Sequence, residues 1–191
     1  LGSIDLTHFV KQPFAENASF DYEHFGRVVA VAVRMLDNVL DVTAWPLKQQ
    51  QEEAAAKRRV GLGFTGLGDA LIMLRQRYDT AEARQVAAQI SAAMRDYAYR
   101  ASADLARERG AFPLFSADLY LSGTSFAARL PDDIKQSIRK QGIRNALINI
   151  GGNITALGQH GKRPWRVGIQ HPRKSGALAT LELHDGEAIG T

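Results

Sequence analysis

"VGLGFTGLGDALIMLRQR", residues 60–77, is the stretch on which the fold turns. Gly61, Gly63 and Gly66 satisfy G-x-G-x-x-G, a pattern that lets backbone approach a pyrophosphate at a helix N-terminus when a strand leads into it. Here the preceding "AAAKRR" consists of strong helix formers. The acid expected about 20 residues further on is replaced by Val86. The stretch is therefore read as a Gly-rich turn followed by a helix, its glycines allowing two helices to approach closely. A dinucleotide loop is the less favoured reading.

Working outward, the flanks are helical by period. In "FDYEHFGRVVAVAVRMLDNVLDV" (20–42), Phe25, Val28, Val29, Ala32, Leu36, Val39 and Leu40 form one apolar stripe, with Ser19 as the expected N-cap. Pro46 suits the first turn of a further helix through "PLKQQQEEAAAKRR". On the other side, Thr80 is placed to cap a long helix that ends at Gly110, with Val86, Ile90, Met94, Tyr97, Ala101 and Leu105 inward. Pro131 opens "PDDIKQSIRKQ", with two acids in its first turn and Arg139 and Lys140 in its last, which complements the helix dipole, and Gly142 stops it. "LGSIDLTHFV" at the start reads as a short strand ended by Pro13.

After Asn145 the pattern changes to short alternating runs: "ALINI", "NITALG", "PWRVGIQ", "ALATLELH" and "EAIGT". Asp185–Gly186 is a hairpin signal between the last two. The expected fold class is α+β, with a helical N-terminal portion (1–141) followed by a small, mostly antiparallel β-sheet (142–191).

Composition narrows the function classes. The chain has 191 residues, 45% hydrophobic and 23% charged, as for a globular chain. No apolar run reaches the roughly 18–20 residues of a membrane span, since Val28–Val33 is broken by Arg34. No signal-peptide pattern opens the chain, and a cytoplasmic location is expected. Leu1 is not an initiator methionine, as in a chain that has been processed or excised or is only partly represented. Cysteine is absent, which excludes disulfides, thiolate metal sites and thiyl radicals on this chain. Net charge is +4, and residues 142–191 hold six Lys/Arg against three Asp/Glu. Only Trp165 lies among those bases, so a nucleic-acid surface is disfavoured.

His8, His24, His160, His171 and His184 do not cluster, and no pair has ligand spacing on a helix. They read as surface histidines. Glu52–Glu53 and Asp132–Asp133 read as solvated helix acids, and no catalytic or metal-binding residue is assigned. "NIGGNITALG" (149–158) is more specific. Gly151–Gly152 breaks two apolar segments before Asn153, and backbone NH groups at such a break can hold phosphate or ribose oxygens. A β-bulge or tight bend is the equal alternative.

Two family resemblances emerge. "LGSIDLTHFV", "VRMLDNVLDVTAWPLKQQ", "KRRVGLGFTGLGDAL" and "ERGAFPLF" resemble, in order, the large chain of adenosylcobalamin-dependent (class II) ribonucleotide reductase, from Leu1 to about Gln141. The resemblance implies helical material of a ten-stranded α/β barrel, in a family that reduces ribonucleotides through a cysteine thiyl radical generated by cobalamin. The family's finger-loop Asn, Cys and Glu and a redox cysteine belong upstream of "LGSI". Its phosphate loop is replaced here by "IRNALINIGG". No family catalytic residue carries over, so the resemblance implies a fragment inactive alone.

"NALINIGGNITALG", "RPWRVGIQHPR" and "ATLELHDGEAIGT" instead resemble the FAD:protein FMN transferase family, from about residue 142. That resemblance implies that Gly151, Gly152 and Asn153 lie near FAD, with Gly190 and Thr191 beginning a "GTSGDY"-like segment. The family's magnesium-binding region is not represented. A chimera joined near "QGIRN" is the expectation, with a flavin-binding remnant or a non-catalytic interaction module as alternatives. FAD enters only through this second resemblance, and adenosylcobalamin only with the complete reductase. Barrel helices lifted from their strands would expose apolar stripes, so a homo-oligomer or a complementing chain is expected to cover them.

Overall fold

A computed structural model describes residues 1–123 and 125–146 in full, together with the backbone of the strand segments 148–150, 154–155, 165–170, 177–183 and 188–189. The chain is α+β and divides into two compact units, Leu1–Gly151 and Gly152–Thr191.

The first unit is built on a parallel sheet as well as on helices. β1 (Gly2–Asp5) runs through a 3-10 turn (Leu6–Phe9) into the short antiparallel pair β2 (Val10–Lys11) and β3 (Ser19–Phe20). α1 (Tyr22–Val42) and α2 (Lys48–Lys57) lead to β4 (Val60–Thr65). α3 (Leu67–Met73), α4 (Ala81–Arg109), α5 (Ala117–Tyr120) and α6 (Asp132–Gln141) precede β5 (Ile148–Ile150). The sheet order is β1-β4-β5, with Leu62 of β4 opposite both Gly2 and Ile150, and both pairings are parallel. Helical crossovers between parallel strands make this an α/β arrangement inside the first unit.

The decisive stretch therefore differs from its sequence reading. "VGLGFT" is the central strand, and only Gly66 forms the turn, at φ +70°. Val60, Gly61 and Leu62 are all buried. A central parallel strand is covered on both faces, so its residues need not alternate. The two strand glycines hide the β-propensity signal.

The helices follow their periodicity closely. α4 starts at Thr80, whose hydroxyl accepts from Ala83 N at 3.2 Å, and ends at Gly110 at φ +86°. α6 follows Pro131 and ends at Gly142 at φ +81°. α1 is capped by Asp21, which accepts from His24 N at 3.0 Å, whereas Ser19 pairs with Lys11 in the β2–β3 ladder. The core joins Phe25, Val29 and Val33 of α1 to Ile90, Met94 and Ala98 of α4 and to Ile134 and Ile138 of α6. α1 and α4 meet so closely at Gly26 that a Cβ there would lie 2.8 Å from the Tyr97 ring.

The second unit contains β6 (Ile154–Thr155), β7 (Trp165–Gln170), β8 (Ala177–Leu183) and β9 (Ala188–Ile189). β7 pairs with β8 and β6 with β9, both antiparallel, in keeping with the expected C-terminal sheet.

Candidate functional site

Two groups of polar residues mark the two ends of the parallel sheet. The first lies before the starts of β4 and β5. Asp37, on the inward face of α1, is fully buried, and so are Ser102 of α4 and Asn145. Arg58 ends α2 in the left-handed region at φ 46° and is 6% exposed. Its Nε donates to Asp37 Oδ1 at 2.9 Å, its Nη2 to Asp37 O at 2.9 Å and its Nη1 to Asp41 Oδ1 at 2.7 Å. Asn145 Nδ2 donates to Asp37 Oδ1 at 3.0 Å and to Arg58 O at 3.1 Å. Asn145 Oδ1 accepts from Ser102 Oγ at 2.8 Å. Arg144 Nε reaches Asp37 Oδ2 at 3.2 Å, with Arg109 Nη1 at 3.6 Å.

Both oxygens of Asp37 are thus occupied by donors, which is how a buried carboxylate is tolerated. Hydrogen bonds from Arg58 also hold the Asp41 carboxyl below its ordinary range, against partial burial. The Arg58 guanidinium is opposed by its own burial, but bonding to Asp41 and Asp37 outweighs this and raises its pKa. In parallel α/β sheets ligands are bound beyond the carboxyl ends of the strands, which makes this amino-terminal network a structural one.

At the carboxyl ends, Asp5 of β1 lies in register with Thr65 of β4. Asp5 Oδ1 accepts from Thr7 N at 3.0 Å and from Thr7 Oγ1 at 2.8 Å, and these bonds hold its carboxyl below the usual range. His8 Nε2 lies 3.8 Å from Asp5 Oδ2. A Cβ on Gly66 would come within 2.6 Å of Asp5 Oδ1, so the glycine of the strand-to-helix turn faces a carboxylate. That is the wrong sign for a pyrophosphate, and with Gly61 and Gly63 inside β4 the glycines do not form the helix–helix contact expected from the sequence either. Beside this edge is an open apolar trough of about 530 Å³, lined by Phe9, Val28, Val31 and Met35, with Asp5, His8 and His24 at its polar points. Among the described residues no cluster of His, Asp or Glu is placed to hold a metal ion. No described helix is long and apolar enough to cross a membrane.

The sequence-based ligand residues Gly151, Gly152 and Asn153, which follow β5 in the chain, lie outside the described residues, as do Gly190 and Thr191. His160, His171 and His184 do too. His8 is exposed as expected, and His24 is exposed with its ring 5.2 Å from that of Phe9. The Asp37 network was missed by sequence reasoning. Its available signal was an acid at i+4 from Val33 on the buried arc of α1, with a serine in the same relation to Ala98 on α4.

Three parallel strands joined by helical crossovers, with a largely buried polar network before the starts of two of them, make the first unit an α/β structure. The family comparison makes this specific: the chain matches the model of the ribonucleotide reductase barrel domain over residues 1–150, and it belongs to that family. It is 39% identical over 116 residues to the vitamin B12-dependent ribonucleoside-diphosphate reductase of Mycobacterium tuberculosis, covering 61% of this chain and 16% of the relative. It is 34% identical over 113 residues to the protein of the same description from Thermoplasma acidophilum, covering 59% and 14%. Against the ribonucleoside-diphosphate reductase large chain of Neurospora crassa it is 30% identical over 157 residues, covering 78% and 17%. The chain thus spans less than a fifth of the length of these relatives.

Proposed function

We propose that the chain is a stretch of a vitamin B12-dependent ribonucleotide reductase large chain, inactive alone, which contributes to ribonucleotide reduction only together with residues outside this stretch. The observation that carries this reading is the family match through residue 150, over the same residues that form the parallel β1-β4-β5 sheet. The chain has no cysteine, so any thiyl radical and any redox thiol must come from elsewhere. The cytoplasm is the proposed location. The test is a reductase assay with a complementing large-chain segment that supplies the cysteines, adenosylcobalamin and a dithiol reductant. Deoxyribonucleotide formed only in the mixture supports the proposal. Failure of every such mixture, with both components folded, overturns it.

A second reading concerns residues beyond 150, where two antiparallel strand pairs form their own unit. Those residues are proposed to be a flavin-binding remnant of an FAD:protein FMN transferase, joined to the reductase stretch in a chimera. The proposed seam lies near Gln141–Asn145, and a family match that runs on through residue 150 favours a position towards the later end of that region or beyond it. A change in flavin fluorescence on titrating the chain into FAD supports this reading. Its absence at high FAD concentration, with no thermal shift, overturns it.

A further inference from the structure

The bonds that fix α2 lie at its carboxyl end. Leu114 N donates to Ala56 O at 3.4 Å, Ala146 N donates to Lys57 O at 3.0 Å, and Arg58 is locked to Asp37 and Asp41. None of the ten residues of α2 is buried. A helix in a folded domain ordinarily packs one face against its neighbours. Here the space between α2 and the end of α1 is instead an open cleft of about 480 Å³, within the range that small ligands occupy.

The lining combines apolar wall with a cation. Leu40 of α1, Trp45 and Pro46 of the connecting turn and Ala54 of α2 form the wall, and Arg59, in the segment entering β4, supplies the charge. Trp45 is half-buried and Arg59 is exposed. Glu53 also lines the cleft, but its carboxylate is taken by Lys57 at 2.5 Å. Lys57 and Arg59 against Glu53 leave one positive charge in excess. An indole face beside a planar guanidinium suits a flat aromatic body that carries one carboxylate. A di- or triphosphate would set several negative charges beside Glu53 with one cation to answer them, which disfavours a nucleotide. The walls offer no general acid or base beyond the paired Glu53, so the cleft binds its occupant without transforming it.

We propose that the cleft between α1 and α2 binds a small aromatic monocarboxylate, its ring against Trp45 and its carboxylate on Arg59, and that the bound ligand holds α2 against the first unit. The site stands independently of the reductase reading.

The test uses 2-naphthoate on the full chain, followed by calorimetry and by hydrogen exchange. The probe should bind in a single saturable event and slow exchange of the α2 amides while leaving those of α4 unchanged. The neutral 2-naphthamide, which removes the charge without any change to the protein, should bind at least about tenfold more weakly. Arg59→Gln and Trp45→Ala, each with an unchanged circular dichroism spectrum, should weaken 2-naphthoate by at least about tenfold as well. No binding at millimolar 2-naphthoate, equal affinity for 2-naphthamide, or binding that survives both substitutions would each overturn the proposal.

Discussion

Asn145 donates a hydrogen bond of 3.0 Å to Asp37 across 108 residues of chain, between two side chains fully closed to solvent. It ties the segment entering β5 to the middle of α1, while Arg58 ties the segment entering β4 to the same carboxylate. One acid thus sets the position of two strands. Removing one partner of a buried charge pair leaves the other uncompensated, at a cost of about 3–5 kcal/mol. Asp37→Ala should therefore destabilise the first unit by about that amount in urea unfolding. The double substitution Asp37→Leu with Arg58→Met should cost clearly less than the sum of the singles, because no charge is left stranded. Additive losses would mean that the pair does not act as a unit.

Gly26 and Gly68 should respond to alanine with opposite signs. Gly→Ala inside a helix is ordinarily favourable by about 1 kcal/mol. Gly68 in α3 has nothing within 4 Å of a new Cβ, so Gly68→Ala should stabilise. At Gly26 the new methyl meets the Tyr97 ring at 2.8 Å, and overpacking of this kind costs about 1–3 kcal/mol. Gly26→Ala should lower the melting temperature in the native background and raise it in a Tyr97→Ala background.

Gly66→Ala combines two penalties. The residue sits at φ +70°, and its Cβ would meet Asp5 Oδ1 at 2.6 Å. The backbone contribution alone is about 1 kcal/mol. Asp5→Gly should recover only the steric part, which thermal melts of the two singles and the double will separate.

Acid should weaken the fold through carboxylates whose pKa is lowered in the native state. A hydrogen-bonded contact from Arg34 holds Glu108 down at about 2, against an ordinary value of 4.5. The unfolded chain takes up that proton first, so the contribution is complete above about pH 4.5 and disappears as the pH falls towards about 2. Asp21, lowered chiefly by the backbone N–H of His24, and Asp41, lowered by Arg58, lose their contributions in the same direction, below their ordinary 3.8. The urea midpoint should fall across this window, and Glu108→Gln should flatten its upper part. An unchanged slope in Glu108→Gln would show that the Arg34 contact carries no linkage.

The helices were largely legible because their ends are written in local chemistry. Thr80, Gly110, Pro131 and Gly142 each act within one turn of their own position, and the apolar periods of α1, α4 and α6 need only the chain itself. β4 was not legible, because a strand buried on both faces shows no alternation and two of its six residues are glycine. The Asp37 network was hidden for a different reason. Its members come from α1, α4, the end of α2 and the approach to β5, and nothing local marks Asp37 as buried rather than solvated. The parallel sheet follows from that same long-range closure. The family resemblance, to about Gln141, implied barrel helices without their strands, whereas the family match extends through residue 150 and the first unit carries β1, β4 and β5. The ligand residues Gly151, Gly152, Asn153, Gly190 and Thr191 rest on resemblance alone.

The most direct test of the central claim is deoxyribonucleotide production by the purified chain by itself, supplied with ribonucleotide, adenosylcobalamin and a dithiol. A cysteine-free portion of a reductase barrel should yield none above the protein-free background, with product appearing only when a cysteine-bearing complementing segment is added. Sustained product formation by the chain alone would contradict the account.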